Sequence, residues 1–190
     1  YGLTLFAGEV RSGKTAAFIL AAETITPKYI VITKKGAIDG VKKFTNNVTN
    51  YHQVSKLKPE YDLVVLDECH RYITGYPKRS KLWKDIYNIT SKAKYIIFSS
   101  GTPTPESYSM LFNMLALSLD NPWNRYKKFT QWHQDYGVYA TKVIGYDEAR
   151  GKVRTALDYS QTKDDKILKD IDHLKVSITY TSLFILNFEK

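Results

Sequence analysis

The sequence predicts an α/β protein in which a doubly wound parallel sheet lies between two layers of helices. Short runs rich in β-branched and aliphatic residues recur along the chain, as expected for strands that are buried on both faces. Segments whose apolar residues have helical spacing lie between these runs, and this alternation is typical of a parallel sheet in three αβα layers. Five of the six prolines fall at the junctions, where the loss of a backbone donor is tolerated.

The elements follow one another regularly in the first part of the chain. Strands are predicted for the apolar runs at residues 3–7, 29–33, 63–67 and 95–99. Helices are predicted for the intervening segments at residues 14–23, 37–44, 80–88 and 106–117. Residues 1–122 are therefore predicted to form one α/β domain.

Residues 123–190 are predicted to be a helical or mixed extension of the same domain, because aromatic and charged residues mix there. Two amphipathic helices are predicted, at 123–136 and 164–174, and the second has Ile167, Leu168, Ile171 and Leu174 on one side. Surface helices that pack on the sheet are the simpler interpretation, and contact with a further domain is the alternative. The tryptophans are expected in the core rather than on a stacking surface.

The composition limits the class of protein. A net charge of +9 and a pI near 9.4 suit a protein whose partners carry phosphate backbones. The single cysteine, Cys69, excludes an intrachain disulfide framework and a Cys-rich zinc site, and suits a reducing cytoplasm. No signal-peptide pattern is seen and the apolar clusters are too short to span a bilayer, so no membrane partner is expected.

The strongest motif is the GxxxxGKT segment at residues 8–15, which lies between a predicted strand and a predicted helix. In such a loop the backbone amides point at the β-phosphate of a nucleotide, and the helix N-terminus adds its positive dipole end. Lys14 would reach the β- and γ-phosphates, and Thr15 would ligate Mg²⁺. The predicted ATP-binding residues are Gly8, Arg11, Ser12, Gly13, Lys14, Thr15 and Ala16.

A second motif ends the apolar run 63–67 with two adjacent carboxylates and reads Asp67-Glu68-Cys69-His70. Ligands of parallel sheets bind at this edge. Asp67 would hold Mg²⁺, directly or through water, while Glu68 would polarise the water that attacks the γ-phosphate. A strand that ends in solvated acids is the alternative, but the phosphate-loop motif upstream favours the paired interpretation. Cys69 is expected to be a packing residue.

The third segment, residues 99–105, comes after another predicted strand and contains small hydroxyl residues that can bond to the acidic motif. Ser100, Gly101 and Thr102 are predicted to pass a change in phosphate occupancy to neighbouring elements. Two roles for His70 stay open: stacking against a neighbouring loop, or, by the resemblance of these motifs to those of the superfamily 2 helicases, reporting the nucleotide state to this segment.

The order of these segments resembles motifs I, II and III of the superfamily 2 helicases, and most closely the Swi/Snf-type ATPases in the compact form that bacteriophages encode. Gly101-Thr102-Pro103 matches the Gly-Thr-Pro of their third motif, and the resemblance covers roughly residues 3–120. It implies a RecA-like lobe that uses ATP and Mg²⁺ to move on DNA, in the cytoplasm of a bacterial or phage-infected cell.

By the same resemblance, residues 32–35 and 48–51 are similar to motifs Ia and Ib. Thr33, Lys34, Lys35, Asn50 and Tyr51 would then contact the phosphate backbone of one nucleic-acid strand, with little regard to base sequence. From the residues alone, Lys34 and Lys35 are an ordinary solvated pair, and core packing of Tyr51 is equally plausible. The choice between DNA and RNA is not decided by the sequence.

The chain departs from the family after the third motif. Motors of this family pair two RecA-like lobes, and the second supplies an arginine finger that is worth about 10³ to 10⁵ in rate. No second lobe fits in the remaining residues, so the chain resembles a first lobe without its partner, and is expected to bind ATP weakly and hydrolyse it poorly alone. The alternatives are a P-loop ATPase for phage or membrane assembly and a nucleotide-binding module without turnover.

Overall fold

The computed structural model describes residues 2–8, 12–101, 106–148 and 151–178. Its centre is a sheet of six strands, all parallel, in the order β3-β2-β4-β5-β1-β8. The strands are β1 (Leu3–Gly8), β2 (Tyr29–Thr33), β3 (Val48–Asn50), β4 (Leu63–Asp67), β5 (Tyr95–Ser100) and β8 (Lys175–Ile178). The predicted α/β class and parallel sheet are confirmed, and the four predicted strands agree with the structure to within one residue.

Helices cover both faces of this sheet. They are α1 (Lys14–Ile25), α2 (Ile38–Lys42), α3 (Lys81–Thr90), α4 (Met110–Leu115), α5 (Phe129–Tyr136) and α6 (Asp164–Ile171). Successive side chains of a strand point to opposite faces. Val31, Val65 and Ile97 accordingly pack in a small core with α1 and α2. Ile32, Leu66 and Phe98 pack in the larger core with α3, α4, α5 and α6.

Two helices begin later than predicted because polar side chains hold the preceding turns in other conformations. The Ser107 and Ser109 hydroxyls donate to the backbone carbonyls of Ser160 and Tyr159, so α4 begins at Met110 instead of residue 106. The side chain of Asn121 accepts from the Trp123 amide, and α5 begins at Phe129 instead of residue 123. Ser and Asn side chains compete in this way with helical hydrogen bonds.

The second part of the chain completes the main core. Strand β8 pairs in parallel with β1, and Ile167, Ile171 and Leu174 belong to the same buried cluster as Leu3 and Leu5. The three tryptophans are 4%, 1% and 0% exposed at positions 83, 123 and 132, which confirms their prediction as core residues. Trp132 stacks on Tyr136 with ring centroids 5.2 Å apart.

An antiparallel hairpin that the sequence did not predict projects from this part. It consists of β6 (Thr141–Asp147) and β7 (Lys152–Leu157). The register shifts between Val143 and Gly145, which indicates a bulge, and nearly all of the hairpin's side chains are exposed. Among the described residues, no helix has the length and apolar character that crossing a bilayer requires.

Candidate nucleotide-binding site

The phosphate-loop motif connects the end of β1 to the start of α1. Gly13 caps the helix with φ 75° and ψ 12°, a left-handed conformation that glycine adopts without steric cost. Helix α1 then begins at Lys14, and its first turn contains no acidic residue. The first amides of a helix have no intrahelical acceptor, so the turn that carries Lys14, Thr15 and Ala16 is suited to an anion.

Two polar groups of the loop are also suited to binding phosphate. The Ser12 side chain is 1% exposed, and its hydroxyl is buried without a hydrogen-bond partner among the described residues. A buried hydroxyl in this state costs free energy, which a bound acceptor would recover. The Lys14 ammonium donates to the Gly8 carbonyl at 2.6 Å, so it lies across the loop that would hold the phosphates.

Asp67 is held at the end of β4 by both neighbouring strands. The Thr33 hydroxyl donates to Oδ2 at 2.7 Å, and the Ser99 hydroxyl donates to Oδ1 at 3.1 Å. Burial raises the pKa of Asp67, and the two hydroxyl bonds and the charge of Lys14 lower it in part. The carboxylate is therefore fixed in orientation, and the positive charge of Lys14 acts on it.

The residues of this site share one face of the sheet. Thr33, Asp67 and Ser99 each lie two positions after a residue of the core beneath α1 and α2, so their side chains point to that face. The phosphate loop leads into α1 on the same side. The structure thus brings the two strongest motifs to one edge and one face of the sheet.

Glu68 occupies an unusual backbone position. Its φ of 53° and ψ of 34° place it in the left-handed region, where a residue with a Cβ is disfavoured by about 1 to 2 kcal/mol. Its side chain is 28% exposed, and one carboxylate oxygen lies 3.7 Å from Nδ1 of His70. The turn at Glu68 ends the strand and leaves this second acid accessible beside the buried one.

His70 lies on the opposite face of the sheet and contacts the third motif. Its Nδ1 is 2.7 Å from the Ser100 hydroxyl, and its Nε2 accepts from Nε of Arg71 at 3.4 Å. An accepting Nε2 corresponds to the neutral tautomer that carries its proton on Nδ1, and in that tautomer Nδ1 donates to the Ser100 hydroxyl. Burial lowers the pKa of His70, which favours this neutral form. Of the two predicted roles, the geometry supports contact with the third motif.

Neighbouring residues hold this turn in place. Cys69 is fully buried, and its Sγ lies 3.5 Å from Sδ of Met114. Burial raises the pKa of its thiol well above the usual range, which agrees with the predicted packing role. Gly101 directly succeeds Ser100, whose hydroxyl contacts His70. Arg11 and Thr102, which were predicted in the site, lie outside the described residues.

Two predicted nucleic-acid contacts are corrected. Thr33 is completely buried and its hydroxyl is used by Asp67, so it has no surface to offer a polymer. Tyr51 is 1% exposed, donates to the Asp67 carbonyl at 2.8 Å and stacks on Tyr72 with centroids 4.0 Å apart. Both residues stabilise the acidic motif from inside the fold.

The other three predicted contacts have different surroundings. Lys34 and Lys35 are exposed beyond the end of β2, where a solvated pair and a phosphate contact are equally compatible with the structure. The Asn50 side chain accepts from the His52 amide at 3.0 Å and so caps the following turn. A local structural role thus accounts for Asn50.

The residues present fit a magnesium ion bound together with phosphates. Mg²⁺ is usually held by one or two carboxylates, with phosphate oxygens and water completing its shell. Asp67 supplies an oriented carboxylate, and Thr15 lies in the first turn of α1. Within the described part of the chain no cluster of three metal-ligating side chains occurs.

The roles of Thr33 and Ser99 as holders of Asp67 were not predicted. Both lie at the ends of apolar strands, which is visible in the sequence, but the adjacency of β2 and β5 to β4 is a property of the sheet order.

No protein-family model matches this chain, and no curated protein matches it.

Proposed function

We propose that this chain is the RecA-like ATP-binding lobe of a nucleic-acid-dependent ATPase of superfamily 2, similar to the Swi/Snf-type motors. The observation that carries the proposal is the meeting of the phosphate loop and the acidic motif on one edge and one face of the parallel sheet. The charge of Lys14 reaches Asp67 there, and the buried Ser12 hydroxyl lacks an acceptor among the described residues. A strand that merely ends in solvated acids would not hold Asp67 with two hydroxyls.

The proposed chemistry assigns one task to each side chain. The amides at the start of α1 and the Lys14 ammonium bind the phosphates of ATP. Thr15 and Asp67 would hold Mg²⁺, which neutralises charge that develops on the phosphate oxygens. Glu68 accepts a proton from a water molecule as the water oxygen attacks the γ-phosphorus. The bond to the β,γ-bridging oxygen breaks, and ADP leaves with that electron pair.

The contact between His70 and Ser100 supports a motor rather than a binding module without turnover. It joins the turn that carries Glu68 to the end of β5 on the far side of the sheet. A change at the γ-phosphate would therefore reach a surface that does not contact the nucleotide. An assembly ATPase has no evident need of this second connection.

The first experiment separates binding from hydrolysis. We expect Lys14→Ala to weaken binding of a fluorescent ATP analogue with Mg²⁺ by at least about tenfold, because a charge-assisted contact to phosphate is worth about 1.5 to 3 kcal/mol. Glu68→Gln should bind the analogue normally but lose about 10² or more in hydrolysis, measured in a single turnover with protein in excess.

Lys42→Ala, which removes an exposed lysine of α2, is the matched control and should change neither measurement. Equal affinity of the Lys14→Ala variant and the unmodified chain would exclude the proposed site. Normal binding with no hydrolysis above background, in both the unmodified chain and Glu68→Gln, would favour a nucleotide-binding module.

A further inference from the structure

The β6–β7 hairpin has two chemically different faces. Side chains alternate along each strand, and the register sets Tyr146 opposite Val153 and Asp147 opposite Lys152. The face with Tyr146 and Val153, called here the apolar face, also contains Val143 and Leu157. The opposite face, called here the basic face, contains Lys142, Lys152 and Arg154, with Asp147 as its one acid among the described residues.

The basic face adjoins the acidic motif through a groove. This groove has a volume of about 830 Å³, is open to solvent and is lined by residues that include His70, Arg71, Tyr76, Glu106 and Lys142. Lys142 of the hairpin and Arg71 of the turn after Glu68 therefore border the same space. Of the described residues that line it, Glu106 is the only acid.

The groove lies on the face of the sheet that is remote from the phosphate loop. Arg71 donates to Nε2 of His70, and Nδ1 of His70 contacts Ser100. An anion that attracts Arg71 would compete with its weak 3.4 Å contact to His70. A polymer in this groove would thus act on the acidic motif without entering the nucleotide site.

We propose that the basic face of the hairpin and the adjoining groove bind the phosphate backbone of a nucleic acid. Lys142, Lys152, Arg154 and Arg71 supply the cations. This inference rests on the proposed function and deepens it, since it assigns the polymer a site other than the one predicted around Thr33 and Tyr51. A protruding two-stranded ribbon also has a shape that the major groove of a duplex accepts.

Charge favours a phosphate backbone over an apolar partner on this face. Lys152 and Arg154 are two positions apart on one strand, which separates their Cα atoms by about 7 Å on one side of the ribbon. Both are exposed, as is Lys142. Contacts of this kind need no base recognition, and they weaken as salt rises because counterions are released when they form.

The test measures binding of labelled single-stranded DNA, duplex DNA and single-stranded RNA by fluorescence anisotropy, without nucleotide, over a range of salt. We expect the triple variant Lys142→Ala, Lys152→Ala, Arg154→Ala to bind at least about tenfold more weakly. On duplex DNA, the negative slope of the log association constant against log salt should become less negative by about 0.9 for each phosphate that the variant no longer neutralises. Arg71→Ala should make the slope less negative by about the amount expected for a single phosphate.

Val153→Thr is the matched control, because it changes the apolar face and no charge. It should leave affinity and slope unchanged. Binding of the fluorescent ATP analogue by the triple variant should also be normal, which shows that the fold and the nucleotide site are intact. Lys14→Ala should bind the oligonucleotides normally, so failure of the ATP site and failure of the hairpin site give different results.

Unchanged affinity and slope in the triple variant would overturn the inference. So would displacement of the oligonucleotides by polyglutamate of equal charge at the same concentration, since that result would indicate a site for acidic proteins. If only the double variant Lys34→Ala, Lys35→Ala made the slope less negative, the polymer would bind at the end of β2 instead, and the inference would be wrong.

Discussion

Asp67 is positioned for the candidate site, but its buried charge lowers the stability of the fold. The carboxylate is 8% exposed, and burial raises its pKa despite the hydroxyls of Thr33 and Ser99. A carboxyl group whose pKa is raised by folding contributes stability only while it is protonated, because the folded state binds that proton more tightly than the unfolded chain does. That contribution is present below the pKa of the unfolded chain and is lost as pH rises through the folded pKa.

Asp67→Asn should therefore raise the thermal stability of the nucleotide-free protein at pH 7 by a few degrees, because the buried charge is removed. The difference from the unmodified chain should shrink as pH falls through the folded pKa of Asp67. Thermal denaturation followed by circular dichroism from about pH 4 to 8 measures this, with the exposed Asp39→Asn as control. A lower melting temperature at pH 7 would mean that the hydroxyl bonds outweigh burial.

At the scale of elements, strands were easier to predict than helix starts. Residues 29–33 and 63–67 are buried, so apolar residues occupy most positions and the bounds of these strands are visible in the sequence. Before α4, the hydroxyls of Ser107 and Ser109 donate to carbonyls that lie far away in the sequence, and before α5 the Asn121 side chain accepts from the Trp123 amide. The distant partners are tertiary contacts, which no local pattern contains.

The hairpin was missed for a related reason. Both of its faces are largely exposed, so no core imposes an apolar period on residues 141–157. The bulge near Gly145 also shifts the alternation between Val143 and Tyr146. The motifs at residues 8–15 and 67–70 are visible in the sequence because their residues are contiguous, whereas the hydroxyls that bond to Asp67 come from neighbouring strands.

Tyr51 links the element after β3 to the acidic motif. Tyr51→Phe should keep the stacking on Tyr72 but remove the donor to the buried Asp67 carbonyl, which costs about 1 to 3 kcal/mol. Urea denaturation measures the change in stability, with the more exposed Tyr95→Phe as control. Affinity for oligonucleotides at fixed salt should not change. Weaker oligonucleotide binding with unaltered stability would restore the predicted contact with nucleic acid.

At the scale of the whole molecule, the segment after Pro122 is built into the same core as the strand that precedes the phosphate loop. Strand β8 pairs with β1, α6 contributes Ile167 and Ile171 to the same core as β1, and Trp123 and Trp132 are buried in that core. The +9 net charge is spread over a fold in which cations border both the end of β2 and the hairpin. The net charge can be counted in the sequence, but the surface on which the cations lie together cannot be predicted from it.

Ile167→Ala tests whether the chain unfolds as one unit. The side chain is completely buried, so its truncation should cost about 2 to 5 kcal/mol. The whole protein should still unfold in a single transition with an earlier midpoint, measured by tryptophan fluorescence and by circular dichroism. Leu20→Ala, at a position 67% exposed, should change stability by less than about 0.5 kcal/mol. Two separate transitions would show that α6 belongs to an independent unit.

The left-handed backbone at Glu68 has a consequence for any attempt to improve this protein. Glycine occupies that conformation without a Cβ penalty, so a screen that rewards heat resistance alone is expected to enrich Glu68→Gly. The variants enriched by such a screen would melt at a higher temperature and would no longer have the carboxylate that we propose activates water.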